Sequence, residues 1–384
     1  MKLGLDIGNS QVKGALLSDN NILETTIKFP SAVTHVDDEK YLTYTNDGDY
    51  YIQVLESALN HYDGIVAVGD KAYALPGYKE FDVESTSYKT NHPMTTSMLF
   101  GAIADNIDDT EVDVKLAVSI PIVESKSIGL AKEYKDLLIG QHKIRVYKED
   151  NIYDMTINVE NAVVTNEGQA GFFGLLDTVD EDFRNAIDVV YESLGETEDP
   201  VGTFEDFLVC DIGEGTSDIS VFRNKRFNPD YSFSVTRGIG NLLEDAMANA
   251  KREKLTIESR KDLQQVLEST NKRRAKRKEQ WLEYVTPTEN AFIDTVVDTI
   301  IKAYGNRDYF DAIIFFGGGF SALTGYSVED DSVVIRNNRL FEVLNARLEE
   351  LNKTADLVFG IPSNHNYSQT INQRGLTQIL TSLK

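Results

Sequence analysis

Two stretches of this 384-residue sequence place an aspartate, a glycine turn and small polar side chains between apolar runs: DIGNSQVKGALL from Asp6 and DIGEGTSDISVF from Asp211. In the first, Leu3 and Leu5 lead into Asp6, Gly8, Asn9 and Ser10 form the turn, and Val12 and Ala15 to Leu17 resume a strand. In the second, Phe207 to Cys210 precede Asp211, the turn is Gly213, Glu214, Gly215 and Thr216, and Ile219, Val221 and Phe222 resume. Each reads as a β-hairpin whose tip exposes main-chain N–H groups. Such N–H groups bind phosphate oxygens, and an aspartate at the base of the turn suits a hydrated divalent cation. Asp6 and Asp211 are therefore candidate metal ligands acting largely through water.

Other chemistry finds little support. The five histidines, at 35, 61, 92, 142 and 365, show no metal-ligand spacing, and with one cysteine a zinc site has no ligand set. Cys210 lies inside an apolar strand and reads as a core residue rather than a nucleophile. Neither a GxSxG elbow nor a GxxxxGK[ST] loop is present, which sets aside serine hydrolases and P-loop enzymes. Gly238 and Gly240 lack the third glycine and the acidic ribose partner of a dinucleotide fingerprint, so they read as the opening of a helix. Trp281 has no aromatic partners at helical spacing and reads as packing.

The elements that must hold these turns can be traced along the chain. Residues 1 to 29 read as three short strands ending at Pro30 and Ser31. A mixed, polar stretch to about residue 90 holds the apolar runs Tyr50 to Val54 and Ile65 to Val68 and reads as a small inserted subdomain. Helical spacing over Pro93 to Ile107 and Ser125 to Leu138 alternates with strands over Val112 to Ile122 and, in a pair, Lys143 to Val159. The order then restarts: a helix over Gln169 to Asp188, a strand from Phe207, the second hairpin, a strand over Tyr231 to Thr236, and a helix opening at Gly238 and Gly240. Residues 250 to 305 are charged and helical, a second inserted subdomain. Asp311 to Phe316 is a buried strand running into Gly317, Gly318 and Gly319, and a final helix runs from Ile371. This alternation is that of an α/β protein with helices packed on mixed sheets.

Length and composition agree: 41% hydrophobic and 26% charged residues in 384 suffice for two domains with real cores. No apolar run is long enough to cross a bilayer and the first strand follows Met1 almost at once, so the expected location is the cytoplasm. A net charge of −24 repels nucleic acid and anionic membrane, so no direct DNA binding and no membrane binding are expected. The charge is uneven: Lys251 to Lys278 holds eleven basic and four acidic side chains, and Asp177 to Asp206 holds eleven acids against Arg184 alone. The simplest reading of the run from Asn271 to Gln280 is a solvated helix face.

The hairpins DIGNSQVK and DIGEGTSD, followed by FFGGGFSA, resemble in type and order the actin, heat-shock chaperone and sugar kinase superfamily, and within it the bacterial actin-like proteins of the ParM and Alp plasmid-segregation type. The likeness covers nearly the whole chain, and the FPS sequence at Phe29 to Ser31 adds to it. It implies an actin-like fold: two pseudo-repeated α/β domains, with inserted subdomains, around a nucleotide cleft. Domain I would span residues 1–165 with an insertion at about 30–90, and domain II residues 166–360 with a mainly helical insertion at about 240–305. Residues 361–384 would return to domain I. The cofactors implied are ATP, with GTP as the alternative the glycines leave open, and Mg²⁺. Lys13 stands where the family has a phosphate-contacting lysine, and Gly8, Asn9, Ser10, Gly213, Glu214, Gly215, Thr216, Gly238, Gly240, Gly317, Gly318 and Gly319 would surround the nucleotide. The family's connecting segment fits NAVVTNEGQAGFFG from Asn161, which makes Glu167 the choice for polarising the attacking water and Gln169 the fallback. Asp6 and Asp211 complete the catalytic set through the metal.

The function implied is an ATPase whose head-to-tail filament moves plasmid DNA or similar cargo through a DNA-binding adaptor. In that setting the basic insertion could face an acidic surface of the next copy; raised salt would then lift the critical concentration for assembly, and reversal of Arg273, Arg274 and Lys276 to glutamate would block it. Membrane-bound MreB and FtsA resemble the chain less, because no strongly amphipathic basic terminal helix is visible. Two rivals stand beside this reading: a small-molecule kinase of the same superfold, for which no substrate-activating carboxylate stands out in the first domain, and a nucleotide-binding scaffold that does not hydrolyse.

Overall fold

The computed structural model describes residues 1–36, 50–80, 88–148, 151–177, 180–269, 271 and 275–382. The chain divides into two compact units, Met1–Asp180 with Thr370–Lys384, and Glu181–Gln369.

The first unit contains β1 (Lys2–Ile7), β2 (Gln11–Leu17), β3 (Leu23–Pro30), β4 (Ala32–His35), β5 (Tyr50–Glu56), β6 (Ile65–Val68), α1 (Asp70–Tyr73), β7 (Lys79–Glu80), α2 (Pro93–Asn106), β8 (Glu111–Ile120), α3 (Ile122–Ser125), α4 (Leu130–Leu138), β9 (Gly140–Lys148), β10 (Asn151–Asn166) and α5 (Glu167–Leu175). Its strands form one sheet in the order β3-β2-β1-β8-β10-β9-β5-β6-β4-β7. β1 runs parallel to β8, and β8 parallel to β10, while the hairpin β1–β2 is antiparallel. Both faces of the central strands are covered, so they read as near-continuous apolar runs: all six residues of β1 are buried.

The second unit contains α6 (Glu181–Ser193), β11 (Phe207–Ile212), β12 (Ser217–Arg223), β13 (Arg226–Phe227), β14 (Phe233–Val235), α7 (Ile239–Arg252), α8 (Arg260–Glu268), α9 (Ala275–Tyr304), β15 (Tyr309–Phe316), α10 (Gly318–Thr324), β16 (Ser327–Glu329), β17 (Ser332–Val334), α11 (Arg339–Glu350) and β18 (Thr354–Gly360). Its main sheet has the order β13-β12-β11-β15-β18, with β14 added to β12. The core of the first sheet is thus repeated: a hairpin, then two parallel strands reached by crossovers. The last helix, α12 (Tyr367–Ser382), belongs to the first unit from Thr370 onward, where Leu376 and Leu380 pack with Leu17, Ala117 and Ala170.

Several elements depart from the sequence reading. The stretch from 30 to 90 is joined to the main sheet rather than set apart, because β5 pairs with β9 from Tyr50↔Lys148 onward. The helix expected over Ser125 to Leu138 begins only at Leu130, as α4, because Gly129 at φ +84° caps it, and α3 ends at Ser125. That expected over Gln169 to Asp188 is also two: α5 ends at Leu175, α6 begins at Glu181, and Asp177 and Asp180 between them accept hydrogen bonds from Arg374 at 3.0 and 2.8 Å. The unit boundary accordingly falls after Asp180 rather than at 165, with α5 packed in the first unit. The acidic stretch holds α6, which buries Phe183, Ile187, Val190 and Tyr191, and Arg184 bonds Asp199 in the following loop at 2.7 Å. Of the basic run, Arg273 and Arg274 lie outside the described residues, and Lys276 is exposed in the first turn of α9. Trp281 is fully buried. Among the described residues no helix is long and apolar enough to cross a membrane.

Candidate nucleotide site

The two aspartate–glycine turns have the same main-chain geometry. Gly8 donates its N–H to the Gln11 carbonyl at 3.0 Å, and Gly213 donates its N–H to the Thr216 carbonyl at 2.9 Å. Each turn is a four-residue loop closing an antiparallel pair. Asp6 lies directly opposite Lys13, and Asp211 directly opposite Asp218, so each pair shares one face of its sheet. Among the described residues the N–H groups of Asn9, Ser10, Gly215 and Thr216 donate to no main-chain carbonyl, which leaves donors at both tips. Each tip by itself suits the oxygens of an anion such as a phosphate.

Around the first turn, Ser31 donates its hydroxyl to the Gly8 carbonyl at 2.6 Å and its N–H to the Ser10 carbonyl at 3.0 Å, which gives the FPS sequence a structural task. Asp6 is buried and accepts the Ser119 hydroxyl on Oδ1 at 2.8 Å. Ser119 in turn pairs with Thr165 of β10, so three adjacent strands bring polar side chains to one level near their carboxyl ends. Ligands of open α/β sheets bind at such ends.

One residue further, Asn166 caps α5: its Oδ1 accepts the Gln169 N–H at 2.8 Å, and its Nδ2 donates to Gln169 Oε1 at 2.6 Å. The Gln169 amide oxygen also accepts the Thr165 hydroxyl at 3.3 Å, so this side chain is occupied in the cap. Glu167, at the first position of α5 and 7% exposed, directs its Oε1 to 3.7 Å from the Lys89 ammonium. Lys89 was not singled out by sequence reasoning. Its ammonium also donates to the Ile7 carbonyl at 3.3 Å, at the end of β1, and its N–H bonds the buried carboxylate of Glu124 at 2.8 Å. No local pattern marks it, because its partners come from three distant segments.

In the second unit the remaining glycines converge on the turn at 213–216. A Cβ on Gly238 would lie 2.4 Å from the Glu214 carbonyl oxygen, one on Gly317 2.4 Å from Asp211 Oδ1, and one on Gly319 2.6 Å from the Gly213 carbonyl oxygen. Ile239 and Gly240 donate their N–H groups to the Gly213 and Glu214 carbonyls at 3.1 and 2.9 Å. Their glycine identity is thus explained by packing against the hairpin. Gly318 alone in the triplet leaves room, with its nearest neighbour, Gln369, 3.7 Å away. Glu214 pairs with Arg260 at 3.2 Å. Burial, with the Asp211 charge second, pushes the Cys210 thiol well above its ordinary range, which removes it as a nucleophile.

Among the described residues no three acidic, histidine or cysteine side chains form a metal cage. Asp6, buried with one carboxylate oxygen on the Ser119 hydroxyl, suits a hydrated cation such as Mg²⁺ reached through water.

Residues 4–169 match the family model of the actin like proteins N terminal domain, and residues 209–326 that of the archaeal actin homologue MreB-like, C-terminal. No protein with a curated description matches the sequence. The crystal structure of the actin-like protein Alp7A superposes with a TM-score of 0.65 at 14% identity, over 98% of this chain and 95% of that one. ParM of Bacillus thuringiensis with ATP gives 0.56 at 16% identity, over 99% and 97%. A Bacillus thuringiensis ParM hybrid with ADP, containing two ParM mutants, gives 0.58 at 16%; this chain spans 48% of its length. The fold is actin-like, with an actin-like N-terminal domain and a C-terminal domain like that of archaeal MreB-like proteins.

Proposed function

We propose that this actin-like protein is a Mg²⁺-dependent ATPase that polymerises head to tail in response to nucleotide and positions plasmid DNA or similar cargo through a DNA-binding adaptor. The observation that carries the reading is the repeated turn: two loops with the same closing hydrogen bond, an aspartate at the base of each, and N–H donors unspent at both tips. The Bacillus thuringiensis relative solved with ATP supports that nucleotide over GTP.

In this reading Asn9, Ser10, Gly215 and Thr216 bind phosphate oxygens by their N–H groups, and Lys13 adds a cation on the face that carries Asp6. Asp6 and Asp211 hold the hydrated cation, which supplies charge neutralisation on the phosphates when bound. Glu167 accepts a hydrogen bond from the attacking water and orients it; Gln169, committed to the α5 cap, is the weaker choice. Phosphoryl transfer to water asks mainly for such alignment and charge placement. Nucleotide drives assembly to the extent that it binds the polymerising conformation better than the free one. The net charge of −24 agrees with an adaptor rather than direct DNA contact, and in this reading Lys276 and Arg277, exposed on α9, meet an acidic surface of a second copy.

Pelleting and electron microscopy with ATP, ADP and a non-hydrolysable analogue test the reading on wild type and Glu167→Ala. Filaments with ATP that persist longer in the variant are expected. ATP consumption that depends on an added sugar, with no sedimenting polymer, would establish the small-molecule kinase instead.

A further inference from the structure

We propose that Lys89 is a positioning residue for ATP hydrolysis, fixing the direction of the Glu167 carboxylate; this rests on the ATPase reading above. The ammonium is held between two fixed points, the Ile7 carbonyl at the end of β1 (3.3 Å) and Glu167 Oε1 at the start of α5 (3.7 Å). It is mostly buried, with 16% of the side chain exposed, so its charge is weakly screened.

The far end of the residue is equally fixed. Glu124, 3% exposed, accepts the Lys89 N–H on one carboxylate oxygen at 2.8 Å and the Thr90 N–H on the other at 3.1 Å. Glu124 lies in α3, directly after β8, the strand between β1 and β10. The backbone of Lys89 is thereby tied to the same three-strand core that carries Asp6 and Glu167. A long flexible side chain anchored this way loses its rotamer freedom once, on folding.

The chemistry follows from the charge. A carboxylate that orients water must present a lone pair. One carboxylate oxygen faces the ammonium, which turns the other in a defined direction. Lys89 thus acts through Glu167, and removing it leaves the phosphate-binding N–H groups of the turns in place.

A double-mutant cycle on the full-length chain tests this, with single-turnover ATP hydrolysis and nucleotide affinity measured separately for Lys89→Gln, Glu167→Gln and the pair. Lys89→Gln is expected to slow hydrolysis on the order of 10- to 100-fold while affinity stays within about threefold, and to add little in the Glu167→Gln background. Lys89→Arg, which keeps the cation, recovers part of the rate. Fully additive effects, unchanged hydrolysis in Lys89→Gln, or a fall in affinity that accounts for the whole loss would overturn the assignment. A wild type that binds no nucleotide overturns the ATPase reading itself, whereas a turning-over wild type with additive variants overturns this inference alone.

Discussion

The turns at 8–11 and 213–216 share one closing hydrogen bond but are braced by different means. At the first, the Gly8 carbonyl is held by a side chain, the Ser31 hydroxyl. At the second, the equivalent Gly213 carbonyl is held by a main-chain donor, the Ile239 N–H, and the turn is walled in by Gly238, Gly317 and Gly319. Opposite the aspartate stands Lys13 in one case and Asp218 in the other. A repeated backbone can thus carry unlike chemistry: one turn is adjustable by side chain, the other built into the packing of two helix starts.

Substitution of Gly317 should separate the two most sharply. At φ +103°, with its Cβ position 2.4 Å from both Asp211 Oδ1 and the Ile212 carbonyl oxygen, Gly317→Ala is expected to destabilise the second unit by about 2–4 kcal/mol. Gly8→Ala meets only the Gln11 carbonyl oxygen, at 2.9 Å, and should cost about half as much. Urea unfolding of both variants measures the difference, and equal losses would break the comparison.

The chemical asymmetry is the next test. Lys13→Gln should weaken ATP binding about tenfold, or about 1.4 kcal/mol, whereas Asp218→Asn should leave it within about twofold, read by titration with a fluorescent nucleotide. Ser31→Ala removes one hydroxyl donor from the first turn and should cost about 1 kcal/mol in unfolding free energy. No side-chain truncation can remove the matching bond in the second turn.

The smallest effect concerns acid. Burial lowers the pKa values of His92 and His142, with nearby Lys79 adding to the shift at His92. His142 donates from Nε2 to the Leu138 carbonyl and accepts the Ser57 hydroxyl on Nδ1, both at 2.9 Å. Below about pH 6.5 the unfolded chain binds more protons at these groups than the folded one, so their contribution is full above that pH and is lost as pH falls toward the folded values. Both lie in the first unit, and the histidine of the second, His365, is exposed. Hydrogen exchange at pH 7.5 and 5.5 should show the first unit loosening more.

The parts of this architecture that sequence revealed are those set by neighbours in the chain. Asp6 to Lys13 and Asp211 to Asp218 announce hairpins because alternation and glycine spacing are local, and α2, β8 and β15 follow from their own apolar periods. What stayed hidden depends on distant partners. Lys89 is defined by Ile7, Glu124 and Glu167, and the break between α5 and α6 by Arg374 and Gln378 bonding to Asp177. The glycines at 238, 317 and 319 were visible, but their service as packing against the second turn required that turn in place.

Helix α12 closes the first unit across nearly the whole length of the sequence. A Cβ on Gly375 would lie 1.7 Å from the Ala170 carbonyl oxygen, and Lys2 Nζ donates to the Leu380 carbonyl at 3.1 Å, so α5 and β1 are both fitted against α12. The second unit is contiguous, from Glu181 to Gln369, whereas the first is assembled from two segments that lie on either side of it in the sequence. The first unit therefore closes contacts of very high sequence separation, which slow folding. Glu167 and the first turn both lie in that unit, so their final setting depends on the docking of α12.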